Sequence, residues 1–479
     1  MELIEKGLNE GLIKFSNDNK YITYVHQDKK RRYTNPEEKV QAQTFLKLVL
    51  IYEYPVERIE QFVPIKMGSS RREADLIVYH DDKKKEPYII VECKEPEVSE
   101  AEYEQAINQA FSYGYATPKN LKFIWVTSDL KNNYFEFNKE IDERKETPDI
   151  PQFGSTKLEK YKYVQGGKDQ SKVESEGEDY KTQKYFELQK VTEEELTRRF
   201  KQAHQALWAG GELNPSEAFD ELDKLIFCKI WDEKYAIDEQ KKKFVPRKEG
   251  QPYLFQIFRE ENEEKTIQSL YDRINTIYKV GKEKDPEVFR ENIRLSPQKV
   301  RTVVGYLESI NLNDTDLDSK GRAFEAFMGS YFRGDFGQYF TPRNIVKFIV
   351  DVLPIDNEAR VLDTSCGSGG FLLYGLDKVR KQAHRYYKNK PVEHYKYWHD
   401  FAENNLFGIE INEQIARTAK MNMIIHDDGH TNVISSDGLL QSDVIIEKSG
   451  NQEFKYDTFD FILTNPPFGS KIKQTEKAY

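Results

Sequence analysis

The sequence is poor in cysteine and has no long apolar segment. Its 479 residues include only three cysteines, Cys93, Cys228 and Cys366, without CxxC spacing. This pattern indicates neither a disulfide framework nor a zinc cluster, and it fits a reducing cytoplasm. The charged N-terminus lacks the apolar core of a signal peptide, and no run of about 18 apolar residues occurs. We therefore expect a cytoplasmic protein that does not insert into a membrane.

An excess of positive charge is also missing. Acidic residues number 82 against 72 basic ones, so the formal net charge is -10, which argues against a uniformly basic nucleic-acid coat. Any DNA contact must then be local, and one basic run, Lys29-Lys30-Arg31-Arg32, is the candidate. An isolated basic run is at least as often a solvated loop, so the sequence assigns it no specific role.

The pattern along the chain predicts an α/β multidomain protein. Residues 1–150 combine a helical pattern with β-branched apolar runs and predict a small α/β domain. Residues 151–189 are rich in polar residues and glycine, as is typical of a linker. Residues 190–318 show helical spacing and predict a helical connector domain. Over 319–479, short apolar strands alternate with helices, which predicts a Rossmann-like, doubly wound parallel sheet.

The first chemical motif is a strand that runs into a glycine-rich turn and a helix, VLDTSCGSGGF at 361–371. Asp363 ends the strand, and Gly367 and Gly369 permit close approach of a ligand to the backbone at a helix N-terminus. The next strand ends at Glu410, where doubly wound folds place an acid on ribose hydroxyls. The spacing between the glycine turn and Glu410 is longer than in the usual dinucleotide-binding pattern and requires an insertion across about 376–403. A tight turn that needs glycine, and an acid that caps the next helix, are the structural alternatives.

The second motif is the tetrapeptide Asn465-Pro466-Pro467-Phe468, directly after the apolar strand FDFILT. Proline fixes φ and lacks an N–H, so the turn presents the Asn465 amide and a main-chain carbonyl in one rigid arrangement. Two acceptors can hold an exocyclic amine and direct its lone pair towards a methyl donor, while Phe468 stacks on an extruded base. In isolation an ordinary turn is favoured. The order of the three elements reverses that preference.

These elements resemble the N6-adenine DNA methyltransferases of the type I modification-subunit class, which also occur fused in type IIG enzymes. The resemblance covers about 320–479 and includes the segment GQYFTPR ahead of the glycine turn. It implies S-adenosyl-L-methionine (AdoMet) as the cofactor. It also implies a pocket wall formed by Tyr339, Phe340 and Thr341, and a contact between Asp437 and the adenine ring of AdoMet.

The sequence departs from this family in two places. Asp363 is followed by Thr364, where the family has proline, and the chain ends eleven residues after Phe468. We therefore expect this chain to lack the later strands and the target-recognition region of such enzymes. We expect an incomplete methyltransferase domain over 319–479.

A second group of polar residues lies in the N-terminal part of the chain. Asp75 begins the strand ADLIVY, and after a polar turn the strand YIIVECK carries Glu92 and Lys94. Residues two apart point to one face of a strand, so Glu92 and Lys94 project together beside Asp75 if the hairpin pairs in register. Asp75 and Glu92 can hold Mg²⁺ against a phosphate, while the lysine orients or activates water. The alternative is a hairpin with a charged solvent face.

These residues resemble the PD-(D/E)xK nuclease core, specifically the N-terminal domain of type I restriction R subunits, over roughly 30–130. The resemblance implies Mg²⁺-dependent DNA cleavage and a further acid on the helix PEEKV, Glu38 by the best register. It also adds Gln109 to the catalytic residues, because Gln109 and Tyr113 match the QxxxY helix of related nucleases.

Both motif sets in one chain indicate a type IIG-like restriction-modification polypeptide that acts on double-stranded DNA. We expect methylation of adenine N6 combined with DNA cleavage, and a separate specificity subunit or a C-terminal target-recognition domain as the partner. No GxxxxGK[ST] loop is present, so ATP-driven translocation is not expected. Two alternatives stay open: a modification enzyme with an inactive nuclease domain, and an AdoMet-binding scaffold that binds DNA without methyl transfer.

Overall fold

The computed structural model divides the chain into two compact units. It describes residues 2–67, 70–117, 120–141, 143–155, 158–167, 184–209, 211–238, 240–284, 291–315, 320, 323–324, 326–327, 341–426 and 432–466. The first unit contains Met1–Val191, Arg198–Lys284 and Asn292–Leu312, and the second contains Thr192–Thr197, Asp285–Glu291 and Asn313–Tyr479. Each unit has its own sheets and its own apolar cores.

The first unit begins with a small antiparallel sheet. Helix α1 (Glu2–Asn9) precedes strands β1 (Ile13–Phe15), β2 (Tyr21–Tyr24) and β3 (Lys29–Arg32), which pair in the order β1-β2-β3. In the described part of the chain β3 is an edge strand, with Lys30 and Arg32 exposed and Lys29 and Arg31 half-buried. The basic run is therefore a strand, which differs from the loop alternative.

A six-stranded sheet forms the centre of the first unit. Its strands are β4 (Ile59–Met67), β5 (Ser70–Tyr79), β6 (Pro87–Cys93), β7 (Phe123–Thr127), β8 (Asn132–Glu136) and β9 (Lys145–Thr147), in sequential order. Neighbouring strands are antiparallel except β6 and β7, which are parallel and are connected through helix α3 (Glu100–Ala116). The predicted strands ADLIVY, YIIVEC and FIWVTS are confirmed as β5, β6 and β7.

A helix covers each face of this sheet. Helix α2 (Pro36–Leu50) begins after Asn35, whose side chain accepts from the main-chain N–H of Glu37, as expected of an N-cap followed by proline. Successive strand residues point to opposite faces, so Leu76 packs in the core that contains α2 residues and Ile77 in the core that contains α3 residues. This α/β arrangement presents polar residues where β5 and β6 meet.

The rest of the first unit is mainly helical. It contains α4 (Glu193–Trp208), whose first residues group with the second unit, α5 (Pro215–Lys234), α6 (Glu263–Lys284), α7 (Pro297–Leu307), and the antiparallel strands β10 (Tyr235–Asp238) and β11 (Lys243–Pro246). The predicted helices are confirmed, whereas the β10-β11 hairpin was not predicted.

These helices pack in the same unit as the six-stranded sheet. Arg301 of α7 forms a buried ion pair with Glu146 of β9, including hydrogen bonds of 2.8 and 3.0 Å. Arg199 of α4 donates to the main-chain oxygens of Leu130 at 2.8 Å and Tyr306 at 2.7 Å. Buried guanidinium groups require such partners, and these contacts explain why the segments form one unit. The domain boundaries at 150, 189 and 318 stay a prediction.

The second unit contains a four-stranded parallel sheet. Its strands are β12 (Val361–Asp363), β13 (Leu406–Glu410), β14 (Val433–Ser435) and β15 (Phe461–Ile462), in the order β14-β13-β12-β15. Its helices are α8 (Arg343–Val352), α9 (Gly370–Tyr386), α10 (Pro391–Asn404), α11 (Glu413–Ile425) and α12 (Ser442–Ser449). The predicted parallel sheet is confirmed, and α10 fills the expected insertion. Asp363 and Glu410 both end strands, at the edge where such folds bind ligands.

Candidate functional site

Two acidic side chains lie side by side on the central sheet of the first unit. Strands β5 and β6 pair with Leu76 opposite Val91, so the next position along the ladder brings Asp75 beside Glu92. The main-chain N–H of Cys93 donates to Asp75 Oδ2 at 2.6 Å. The in-register hairpin is therefore confirmed, and the two carboxyl groups face one another across adjacent strands.

Lys94 joins this pair through Glu92. Its Nζ lies 3.0 Å from Glu92 Oε1 and 3.0 Å from Glu37 Oε1. Burial alone would lower the pKa of Lys94, but Glu92 and then Glu37 outweigh it and raise this pKa, which keeps the ammonium charged near neutral pH. Burial raises the pKa of Glu92 to about 7, against the opposing effect of Lys94. Burial, and next repulsion from Glu92, raise the pKa of Asp75.

Gln109 contacts the same carboxylate from helix α3. Its Nε2 donates to Glu92 Oε1 at 2.9 Å and also contacts the hydroxyl of Tyr113. Tyr113 in turn donates to the main-chain oxygen of Glu73 at 3.2 Å. Gln109 and Tyr113 are four residues apart and are therefore neighbours on the helix, and they also connect the helix to Glu92.

The structure corrects the register chosen for the acid on helix α2. Glu38 is buried and accepts a hydrogen bond from the hydroxyl of Tyr24 at 2.6 Å, whereas Glu37 forms the ion pair with Lys94. Because successive helix residues are rotated by about 100°, the two acids of PEEKV point in different directions. Glu37 was missed, and the only signal for it was that PEEKV offers two adjacent acids.

The fit of this cluster to Mg²⁺ depends on unused oxygen atoms. Glu92 Oε2 is buried and has no hydrogen-bond partner among the described residues, and Asp75 adds a second carboxylate. Mg²⁺ is commonly held by one or two carboxylates, with water and substrate phosphate completing its shell. Within the described ranges, no group of three or more His, Cys, Asp or Glu could hold a metal. The pair thus fits Mg²⁺ only as a site that water and phosphate complete.

In the second unit the glycine turn follows strand β12 directly. Gly367 and Gly369 have φ angles of +54° and +85°, a region that glycine adopts without steric strain. A Cβ at Gly367 would meet no described atom within 4 Å. The turn therefore needs glycine for its conformation, and it also leaves space beside the backbone for a ligand.

Glu410 connects the end of β13 to this turn. Its Oε2 accepts from the main-chain N–H of Gly367 and its Oε1 from that of Asn412, both at 3.0 Å. Helix α11 is capped instead by the side chain of Asn412, which accepts from the main-chain N–H groups of Gln414 and Ile415. The alternative that Glu410 caps this helix is therefore wrong.

Asp363 is the last residue of β12, directly before the glycine turn. It is 1% exposed, and its Oδ1 accepts from the main-chain N–H of Ser365 at 3.1 Å. Burial raises the pKa of Asp363 to about 7, and repulsion from Glu410 adds to this. The hydrogen bonds from Ser365 and from Thr464 oppose the shift.

Thr464, two residues after the end of strand β15, brings the tetrapeptide close to the turn. Thr464 Oγ1 lies 2.6 Å from Ser365 Oγ and 3.2 Å from Thr364 Oγ1. Asn465 Nδ2 donates to Thr341 Oγ1 at 2.8 Å, which leaves its amide oxygen as an acceptor. Thr341, the glycine turn and Asn465 therefore lie close together. The remaining predicted residues lie outside the described ones: Tyr339, Phe340, Pro467 and Phe468.

Asp437 follows strand β14 in a loop that lies against the glycine turn. Its Oδ1 accepts from the main-chain N–H of Leu439 at 3.0 Å. A Cβ at the next residue, Gly438, would lie 2.2 Å from the main-chain oxygen of Thr364, so only glycine permits this approach. Sequence reasoning missed Gly438 and Thr464, and the only signal was their position beside predicted site residues.

Two protein families match separate parts of the chain. Residues 315–478 match the family N-6 DNA Methylase, and residues 36–151 match the family Type I restriction enzyme R protein N terminus. The resemblances to N6-adenine methylases and to the N-terminal domain of R subunits are confirmed, whereas the PD-(D/E)xK nuclease core stays a prediction. The chain carries an N-6 DNA methylase domain and a domain of the R-protein N-terminal family.

Several restriction-modification proteins are similar to this chain. The type II restriction enzyme and methyltransferase RM.BcgI of Heyndrickxia coagulans is 27% identical over 39% of this chain and 27% of its own length. The type I restriction enzyme MjaIX methylase subunit of Methanocaldococcus jannaschii is 29% identical over 32% of this chain and 23% of its own. A modification-subunit crystal structure from Vibrio vulnificus YJ016 covers 60% of this chain and 63% of that chain, with 20% identity and a TM-score of 0.40.

The chain spans about a quarter of the length of the two curated relatives. Its similarity to them supports a methylase domain related to those of type I and type II restriction-modification methylases. In the part of the chain that the structure describes, no helix is both long and apolar enough to cross a membrane.

Proposed function

We propose that this chain belongs to an enzyme that methylates adenine N6 in double-stranded DNA with AdoMet and cleaves DNA with Mg²⁺. The observation that carries the methylation half is the hydrogen bond from Asn465 Nδ2 to Thr341 Oγ1. It orients the amide so that Oδ1 remains available as an acceptor for an exocyclic amine.

The chemistry of methyl transfer follows from that orientation. AdoMet supplies an electrophilic methyl group when it is bound. Asn465 Oδ1 and a main-chain carbonyl of the tetrapeptide accept the two N–H bonds of the adenine amine, so that its lone pair points away from both acceptors. Phe468 stacks on the extruded base. Little general-base catalysis is needed, because the amine is positioned rather than deprotonated first.

The proposed cofactor site lies at the ends of β12 and β13. Glu410 holds the turn through Gly367, and its oxygens retain lone pairs that can accept ribose hydroxyls. The open space beside Gly367 and the start of α9 at Gly370 suit a carboxylate. Asp363 stabilises the turn by accepting the main-chain N–H of Ser365. The proposal keeps Gly369, Tyr339, Phe340 and Asp437 as further contacts of AdoMet.

The proposed cleavage site is the cluster around Glu92. Asp75 and Glu92 would hold Mg²⁺, which supplies Lewis-acid stabilisation of a phosphate. Lys94 orients or activates water and offsets developing charge, and Gln109 fixes the position of Glu92. Glu37 takes the place first given to Glu38, because it contacts Lys94.

Methylation is tested with the full-length protein, radiolabelled AdoMet and unmethylated duplex DNA. We expect label on adenine N6, with or without a specificity subunit supplied in trans. Calorimetric binding of AdoMet without transfer to any DNA would instead favour the scaffold alternative. Failure to bind AdoMet would contradict the cofactor site itself.

Cleavage is tested separately with Mg²⁺ and the same DNA. We expect strand breaks that require Mg²⁺ and disappear in EDTA. Intact methylation without any cleavage would identify a modification enzyme with an inactive nuclease domain. That result would leave the methylation half of the proposal standing.

A further inference from the structure

The basic edge strand β3 borders an open cavity of about 910 Å³ in the first unit. Its lining includes Tyr21, Lys30, Arg31, Arg32, Thr34 and Asn35. These residues precede the segment 36–151 that matches the R-protein N-terminal family. The functions proposed above do not use them.

The charge in this cavity is mainly positive. Lys30 and Arg32 form no ion pair with any described residue. Lys30 Nζ lies 4.7 Å from the centroid of the Tyr21 ring. Arg32 uses Nε to donate to Thr34 Oγ1 at 2.9 Å, so its terminal N–H groups remain available. The acidic side chain in the lining, Glu38, already accepts from a buried tyrosine hydroxyl.

Arg31 links the cavity to the strand that carries Asp75. Its guanidinium lies 3.7 Å from the centroid of the Phe62 ring, and its Nη2 lies 3.8 Å from Glu73 Oε1. Glu73 precedes Asp75 by two residues on β5. Phe62 lies between the paired positions Gln61–Leu76 and Val63–Ala74, which places it across from Asp75 on the neighbouring strand.

Adjacent residues in the first turn of helix α2 contact the carboxylate cluster and line the cavity. Glu37 reaches Lys94, while Glu38 and the N-cap Asn35 line the cavity. The N-terminal end of a helix favours anions. An anion in the cavity would therefore lie at the N-terminal end of α2, the helix whose Glu37 contacts Lys94 of the carboxylate cluster.

We infer that this cavity binds backbone phosphates of the DNA strand that the Asp75 and Glu92 site cleaves. The inference rests on the proposed function. Ammonium and guanidinium groups donate charge-assisted hydrogen bonds to phosphate oxygens, and such contacts position a duplex without reading its sequence. Lys30 and Arg32 would each neutralise one phosphate. Arg31 would connect the cavity to β4 and β5 through Phe62 and Glu73.

The test replaces both exposed cations by acids, Lys30→Glu with Arg32→Glu, in the full chain. The matched control is Lys83→Glu with Lys85→Glu, which makes the same charge change at exposed positions of the β5-β6 turn. Affinity for a fluorescent duplex is measured by anisotropy over a range of NaCl concentrations. The slope of log K against log salt is negative and becomes shallower by about 0.9 for each lost phosphate contact. We therefore expect it to be shallower by roughly 2 in the cavity variant and nearly unchanged in the control.

The charge reversal also separates phosphate binding from protection of an exposed edge. Charges of either sign deter strand pairing between molecules, so the acidic variant should stay monomeric and keep its melting temperature. If the acidic variant fails to fold, the salt dependence of DNA binding is measured on Lys30→Gln with Arg32→Gln, which also removes both phosphate contacts. The conservative pair Lys30→Arg with Arg32→Lys should restore the wild-type slope.

Three outcomes would overturn the inference in distinguishable ways. Equal slopes in cavity variant, control and wild type would reject the cavity while leaving DNA binding intact. Inorganic phosphate and chloride are compared at equal ionic strength. If phosphate displaces the duplex at a far lower concentration than chloride does, the cavity is a site for free phosphate. Absence of DNA binding by wild-type protein would reject the proposed function as well.

Discussion

The two candidate sites each contain a buried carboxyl group whose pKa is raised to about 7, Glu92 in the first unit and Asp363 in the second. The surroundings of the two groups differ. Glu92 lies 3.0 Å from the ammonium of Lys94, and its Oε2 has no partner among the described residues. Asp363 accepts hydrogen bonds from Ser365 and Thr464, within a turn that a second acid also supports.

This difference shows that burial alone does not define a functional acid. The carboxylate of Glu92 is held by the side chains of Lys94 and of Gln109 from helix α3, and it keeps an unused oxygen, so a cation can still bind it. The carboxylate of Asp363 is used by the fold, because it fixes the glycine turn. We therefore expect substitutions at Glu92 to affect chemistry more than stability, and those at Asp363 the reverse.

The largest expected effect follows the removal of one carboxylate from the first site. Glu92→Gln should lower the rate of Mg²⁺-dependent cleavage by about 10³-fold, since a Lewis-acid metal is worth several kcal/mol. Methyl transfer should remain at the wild-type level. Glu86→Gln, at an exposed position just before β6, is the matched control. Equal cleavage by Glu92→Gln and wild type would remove Glu92 from the catalytic site.

The next effect concerns the acceptor of the second site. Asn465→Ala should lower the rate of methyl transfer by about 10²- to 10³-fold, as does loss of one oriented polar group that stabilises a transition state. AdoMet affinity by calorimetry should change little, because Asn465 is proposed to hold the adenine amine and is not among the proposed contacts of AdoMet. A loss of AdoMet binding with unchanged turnover at saturation would contradict this assignment.

A smaller effect should follow the loss of the hydroxyl that orients this amide. Thr341→Val removes the acceptor of the Asn465 Nδ2 bond, and a net hydrogen bond contributes about 1 kcal/mol, which corresponds to roughly fivefold in rate. We expect the loss in kcat for methyl transfer. Thr458→Val, a surface threonine that precedes β15, is the control. An effect on AdoMet affinity alone would assign Thr341 to the pocket wall instead.

The smallest expected effect is a change in how stability depends on pH. The folded pKa of Asp363, about 7, lies above its usual value, so the folded state holds a proton that the unfolded chain releases between those values. Its contribution to stability is full at low pH and is lost as pH rises through about 7. Asp363→Asn cannot ionise, so its melting temperature relative to wild type should rise from pH 5.5 to pH 8.

The expected size of this change is roughly 2 kcal/mol, or about 5 °C. Asp400→Asn, at an exposed position of α10, should show no such trend. A relative melting temperature of Asp363→Asn that is independent of pH would show that Asp363 is ionised in the folded protein throughout this range.

The sequence predicted most of the local structure around both sites. The apolar, β-branched runs ADLIVY and YIIVEC identified β5 and β6, and the run VLDTSCGSGGF identified strand, turn and helix in the correct order. Local patterns were sufficient there because strand and helix periodicities and glycine turns depend on near neighbours. The hairpin of β10 and β11 was missed, since a short strand pair leaves little signal within a helical segment.

Contacts between distant segments could not be predicted in the same way. The choice between Glu37 and Glu38 depended on the rotation of α2 relative to Lys94, which lies 57 positions further along the chain. The hydrogen bond between Thr341 and Asn465 spans 124 positions. Neither has a local signature, because each depends on how complete elements pack.

By itself the sequence determined which residues could perform chemistry: paired carboxylates with a lysine, a glycine turn, and an Asn-Pro-Pro-Phe end to a strand. It did so because residue type and spacing are local properties. The tertiary structure decided which carboxylate keeps a free oxygen, which acid meets Lys94, and that a basic run becomes an edge strand beside a cavity. Those outcomes depend on burial and partners, which exist only after the elements have packed.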